Sequence, residues 1–217
     1  MSRTAIALLL AAPLALAAPA AGARSAFDGA YAGASIAYSQ LDGDASTTLA
    51  GNTASGSLDG DGFSYGAYAG FGWTLGPAYL GAEANFDLDD TRADTSANST
   101  TIRIGSEESY GAGLRAGVTL SDFLADVLIY GRADRQWTDM KLSGSLANVA
   151  PLGNETDRRV AWRYGGGVEV AFNSDLWVRM EYTRTDYGTL LLPGTTATVT
   201  ADPEVDRFRI GVAFRFF

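Results

Sequence analysis

The 217-residue chain contains no cysteine and no histidine. Without cysteine there is no disulfide framework and no thiolate metal site. Without histidine, the usual neutral-pH base and the commonest metal ligand are missing. Basic residues are outnumbered, 16 Lys and Arg against 25 Asp and Glu, for a net charge of −9. Nucleic-acid binding needs a basic face, so that partner is not expected. Long apolar runs are scarce. Beyond residue 23 no stretch reaches the ~18 apolar residues that a membrane helix needs. Mean hydropathy is only +0.01, although 47% of residues are hydrophobic. A helical membrane protein reads far more apolar, whereas a barrel in lipid does not, because half of each strand faces a polar interior.

Glycine, by contrast, is abundant, at 26 residues. The first apolar segment reads as an address. Arg3 supplies a positive start and Ala5 to Ala12 an apolar run. Ala21-Gly22-Ala23 is a small-residue cleavage site, with Ala18-Pro19-Ala20 as a second candidate. Residues 1–23 are therefore expected to be a cleaved signal peptide and 24–217 one exported domain.

The rest of the chain carries a period of two. Val160 to Phe172 alternates Val160, Trp162, Tyr164, Val168, Val170 and Phe172 with Arg163, Gly165, Gly167 and Glu169. One face suits lipid and the other is charged or tiny. Seven more segments pass the same test: about 29–39, 63–73, 80–86, 110–120, 126–137, 178–183 and 208–216. The predicted fold is all-β, an eight-stranded antiparallel up-and-down transmembrane β-barrel. A soluble sandwich also alternates. Here, however, every outward face is apolar, and the charges share the inward face with the glycines.

Connections alternate in length. Gly76-Pro77, Ser121-Asp122 and Asn173-Ser174-Asp175 are tight turns. Residues 40–62, 88–108, 138–158 and 186–204 read as long polar loops, although Thr101 to Ile104 alternates as a continuing strand does. Short turns on the periplasmic side and long loops outside place both termini in the periplasm. Aromatic residues sort to both strand ends. Tyr38, Tyr65, Tyr110, Trp137, Trp162 and Tyr182 fall toward the loops, and Trp73, Phe172, Trp177, Phe214 and Phe216 toward the turns. This is the pattern of two interfacial aromatic girdles.

An eight-stranded barrel has room inside for little more than side chains. The inward charges are Glu83, Asp134, Glu169 and Glu181 with Arg115, Arg132, Arg163, Arg179, Arg209 and Arg215. Isolated charges there are costly, so they are expected to pair. They form either the lining of a selective pore or a polar plug, and the lumen size favours the plug. Asp42-Gly43-Asp44 and Asp59-Gly60-Asp61 bracket the first loop. They read as solvated turn residues, with Ca²⁺ or Mg²⁺ bridging to lipopolysaccharide as the alternative. Asn98 and Asn154 each begin an Asn-X-Thr/Ser triplet, read as coincidence.

Phe27-Asp28-Gly29-Ala30-Tyr31-Ala32-Gly33 resembles the opening strand of the small outer-membrane β-barrel family, which includes opacity-type proteins, OmpA-like barrels and porin-like surface antigens of alphaproteobacteria. Tyr79-Leu80-Gly81-Ala82-Glu83 is similar to its third strand and Tyr164 to Glu169 to its sixth. Glu181-Tyr182 fits the seventh, and Arg209 to Phe216 the last. The resemblance implies a Gram-negative outer membrane, lipid and lipopolysaccharide around the barrel, and insertion by the barrel-assembly machinery. It also implies a terminal assembly signal at Phe214, Phe216 and Phe217, although the alternation ends at Phe216, one residue before the end. Enzymatic barrels of related architecture rely on a histidine base, so no enzyme, cofactor or metal is expected. The functional readings are a structural surface protein, a narrow solute channel, and a loop-borne adhesin with a host or envelope partner. No further domain is expected after the eighth strand.

Overall fold

The computed structural model describes residues 25–49, 52–97, 100–121, 126–146, 149–193 and 197–216. The signal segment, Asn98, Asp122 of the turn expected at Ser121-Asp122, and Phe217 lie outside them. Among the described residues nine strands form one sheet: β1 Gly29–Leu49, β2 Asn52–Leu75, β3 Ala78–Ala97, β4 Thr100–Ser121, β5 Asp126–Leu146, β6 Val149–Ala171, β7 Leu176–Asp186, β8 Leu190–Pro193 and β9 Ala197–Arg215. Each pairs antiparallel with its neighbour in sequence, except that β9 pairs with both β7 and β8. β1 also pairs with β9, which closes the sheet and leaves no edge through the barrel. Eight strands make the wall, while β8 extends the line of β7 above it.

The register gives the stagger of the barrel. Starting at Asp42 on β1, lateral partners run through Glu204, Asp186, Trp162, Arg135, Ala112, Ala84 and Ala69. The circuit returns to β1 at Ala32, ten residues below its start. Closure with such a fixed shear tilts every strand and sets a lumen that side chains can fill.

At one end two described turns join the strands tightly. Gly76-Pro77 links β2 to β3, with φ +61° at Gly76. A positive φ followed by proline's fixed negative φ matches a type II′ hairpin, whose twist suits the strands. Asn173 folds the next described turn, its Oδ1 accepting from the amides of Asp175 (2.8 Å) and Leu176 (2.9 Å). At the other end the expected long loops are mostly strand. β1–β2, β3–β4 and β5–β6 stay paired up to Leu49–Asn52, Ala97–Thr100 and Leu146–Val149. The polar composition of these segments reflects ribbons standing clear of the apolar band, not loss of pairing. Thr101 to Ile104 lies in β4, as its alternation implies. Asn154 lies in β6. Asp42, Asp44, Asp59 and Asp61 are exposed strand residues, not turn residues. No described group of three acidic residues is arranged to hold a metal ion.

Outside the barrel lies an uninterrupted apolar surface of exposed residues including Ile36, Leu80, Leu114, Ile129, Met180 and Val212. No described helix is long and apolar enough to cross a membrane. The crossing is made by strands whose backbones pair with both neighbours in the closed sheet.

A filled lumen as the candidate functional site

Successive strand residues point in opposite directions, so the inward side chains follow directly from the alternation. They stack in three ranks. The lowest, at the turn end, is apolar and aromatic: Phe27, Tyr31, Tyr79, Leu128, Trp177, Ala171 and Ala213 are all buried. Phe27 enters from the segment before β1. That segment folds under the barrel, held by Asp28, whose Oδ1 accepts from the Thr74 amide at 2.6 Å, and by Arg215, which donates to the Ser25 carbonyl at 3.1 Å. Trp177 meets Phe27 and Tyr31 edge-on, at ring-centroid distances of 5.8 and 5.5 Å.

Above this floor lies an ion network. Glu83 accepts from Arg179 Nη2 (2.7 Å), Arg179 Nη1 (3.0 Å), Arg132 Nη1 (3.2 Å) and Arg115 Nη1 (3.3 Å). Tyr31 donates its hydroxyl to Glu83 (2.8 Å) and accepts from Arg115 (2.7 Å). Glu169 joins Arg115 to Arg179. Arg132 forks onto Asp134 and reaches Glu181, which Tyr130 also serves at 2.7 Å. Two guanidinium groups lie over tyrosine rings, Arg115 at 3.8 Å from the Tyr130 centroid and Arg179 at 4.1 Å from Tyr68. The third rank joins Arg207 and Arg209 to Asp87, and Arg207 to Asp89, with Ser39 and Ser109 completing it. Arg163 spans the second and third ranks through Asp134 and Asn85. At the ribbon end, Tyr187 turns toward the lumen and its hydroxyl bonds Thr138 at 3.1 Å.

Among the described residues the buried charges are six arginines (115, 132, 163, 179, 207 and 209) and six acids (83, 87, 89, 134, 169 and 181). The interior is balanced in charge and laced by guanidinium forks, the geometry that arginine supplies and lysine does not. Glycines make room for it. A Cβ on Gly70 would stand 2.5 Å from the Tyr31 hydroxyl, and one on Gly167 2.7 Å from that of Tyr130.

Several sequence expectations need correction. Trp177 is not in the girdle. It alternates with Val178 and faces inward with Arg179, where the floor buries it. Arg215 is not in the network. It sits at the turn-end rim, bonded to Asp175 and to the backbone of residues 25 and 28. Asp87 and Asp89 lie just after the segment 80–86, and Arg207 just before the segment 208–216, by which the sequence marks these two strands. The alternation of Phe86 and Leu88 outward against Asp87 and Asp89 continues the pattern and could have found them. Tyr68 and Tyr130 face inward, as the alternation of their strands implies, and Tyr31 and Tyr79 join them from the turn-end starts of β1 and β3.

The other girdle residues face outward. Tyr38, Tyr65, Tyr110, Trp137, Trp162 and Tyr182 stand on the ribbon side of the apolar band, and Trp73, Phe172, Phe214 and Phe216 on the turn side. Tyr110 and Trp137 stack at 5.8 Å. The Phe216 amide donates to the Ala30 carbonyl at 2.9 Å, extending the closing seam by one residue.

Among proteins of known sequence, the chain is 27% identical over 161 residues to the 25 kDa outer-membrane immunogenic protein of Brucella melitensis, covering 74% of this chain and 69% of the relative. It is 28% identical over 172 residues to the 31 kDa outer-membrane immunogenic protein of the same organism, covering 75% and 70%. In fold it resembles the outer-membrane protein OprG of Pseudomonas aeruginosa, with a TM-score of 0.53 and 12% identity over 87% of this chain and 97% of that one. The family model described as the outer membrane protein beta-barrel domain matches residues 6–216. With that match spanning nearly its whole length, the chain belongs to the outer-membrane protein β-barrel domain family.

Proposed function

We propose that this integral outer-membrane barrel is a non-conducting, non-enzymatic structural protein that presents its β-ribbons at the cell surface. The observation that carries the proposal is the balanced six-and-six ion network over an aromatic floor. A conducting pore needs a continuous water path, whereas here each rank is closed by side chains that bond one another. The tight turns and both chain ends then lie in the periplasm, and the ribbons face outward. The relatives' description as immunogenic fits surface exposure of the ribbon end. Lipid and lipopolysaccharide surround the apolar band, and the barrel-assembly machinery inserts the chain through its terminal aromatic residues. A host or envelope partner would meet the exposed acidic ribbons.

Single-channel recording of the refolded protein in a planar bilayer tests this, once heat-modifiability on a gel has confirmed the barrel. The expected record is silent. Reproducible conductance steps from correctly folded protein would replace the structural reading with a channel.

A further inference from the structure

The outward face of the ribbon end is electrically lopsided. Asp59, Asp42, Glu204 and Asp186 are lateral partners on four neighbouring strands, and all four are exposed. The same lateral row continues to Trp162 on β6 and Arg135 on β5. The row is therefore anionic from Asp59 to Asp186 and ends, four strands on from Asp42, at an arginine; higher on that side stand Glu108 and Asp139, the latter bonded to Arg158.

The outward arginines differ in their company. Arg184 forks onto Asp206 at 2.8 and 2.7 Å, and Arg158 bonds Asp139 at 2.9 Å. Arg135 has no carboxylate partner among the described residues. Its lateral neighbours are Ala112 and Trp162, and its guanidinium carbon lies 5.2 Å from the Trp162 ring. Its height follows from the stagger. The row falls ten residues per circuit, so Arg135, halfway round, stands five residues below Asp42, level with Ala37 of β1. That level lies between the outward Ile36 and Tyr38 and within the ribbon-side girdle. Trp137 and Tyr110 flank it there, and Leu114 and Ile129 lie below in the apolar band.

An unpaired guanidinium at this depth faces lipid on one side and head groups above. The tryptophan face favours the cation but leaves its charge uncompensated. The aliphatic stem lets the charge rise to the head groups, where a guanidinium fork matches a phosphate. We propose that Arg135, framed by Trp162 and Trp137, docks a phosphate on the sugar head group of outer-leaflet lipopolysaccharide. The acyl chains of that lipid lie along Leu114 and Ile129. This inference rests on the ribbon end facing the outer leaflet.

Native mass spectrometry of the folded protein tests it, with diphosphorylated lipid A, fully dephosphorylated lipid A and phosphatidylglycerol as separate probes. Wild type is expected to retain diphosphorylated lipid A at least tenfold better than either other lipid. Arg135→Gln should lose that preference, Arg135→Lys should keep part of it, and Arg184→Gln should keep all of it. Equal retention by Arg135→Gln and wild type would overturn the proposal. So would equal retention of the dephosphorylated lipid, or of phosphatidylglycerol, which would mean a generic lipid contact. The orientation is checked separately. The chain has no cysteine, so Ser55→Cys gives a single label site on the β1–β2 ribbon. Labelling by a membrane-impermeant maleimide on intact cells confirms that the ribbon is outside. No labelling on intact cells, with labelling after lysis, would show that the orientation had failed while the lipid data stood on their own.

Discussion

Among single residues, Glu83 bears the most on the interior. It accepts from three arginines and a tyrosine, and its side chain is fully buried. Glu83→Gln keeps the shape but removes the charge that Arg115, Arg132 and Arg179 share. Breaking a buried pair by removing one partner costs about 3–5 kcal/mol. The urea midpoint of the detergent-folded barrel should fall accordingly, whereas Asp206→Asn, on the solvent-accessible, part-buried Arg184 pair, should cost no more than about 1 kcal/mol. Equal shifts in the two variants would mean that the lumen is wet enough to screen its charges. Gly211 gives a second case. A Cβ there would lie 2.9 Å from the Tyr68 hydroxyl, which has no hydrogen-bond partner among the described residues. Overpacking of this kind costs about 1–3 kcal/mol. Tyr68→Phe removes the obstructing oxygen without leaving a broken bond, so it should be nearly neutral alone and should recover much of the Gly211→Ala loss. A double-mutant cycle that showed simple additivity would contradict the contact.

For the strands, the alternation of two was enough to place the membrane-level wall, because one reversed residue would put a charge into lipid. Thus Val127, Ile129 and Ala133 of β5 face out, and Tyr130, Arg132 and Asp134 face in, as the pattern implies. The same alternation also placed Trp177 inward, yet its position near a strand end drew it into the girdle. Strand length was harder to read. Above the apolar band both faces are polar, so the periodic signal fades while the hydrogen-bonded ladder does not. Asp87, Asp89 and Arg207 lie at that limit, where only the outward Phe86 and Leu88 still carry the alternation. The kink at Tyr187-Gly188-Thr189 was not legible either. It rests on φ +63° at Gly188 and on the hydrogen bond that the Gly188 amide donates to Asp186 Oδ1, neither of which apolar periodicity reports. The ribbons should also be separable from the wall. Replacing residues 46–55 by a two-residue Asn-Gly turn leaves Ala45 and Gly56 paired beside it. This variant should stay heat-modifiable and reach normal outer-membrane levels. By contrast, deleting residues 216–217 removes the last bond of the β9–β1 seam and the terminal aromatic residues, and its membrane level should fall. Failure of the ribbon variant to assemble would show that the barrel needs pairing well above the membrane.

Taken as a whole, the barrel is closed twice in series. The apolar floor around Trp177 and Phe27 excludes ions because nothing there replaces their hydration. The charged ranks above exclude them because every guanidinium is committed to a carboxylate, and an entering ion must break pairs that hold each other in place. Either barrier alone is enough to stop current, so removing one should not open the lumen. Trp177→Ala should refold and remain silent in a planar bilayer. Adding Glu83→Ser and Arg179→Ser takes out one charge of each sign, keeps the interior balanced and clears the centre of the network. Only this triple variant should give conductance steps, at some loss of stability. Steps from Trp177→Ala alone would mean that the ion ranks already conduct and that the aromatic floor is the sole closure.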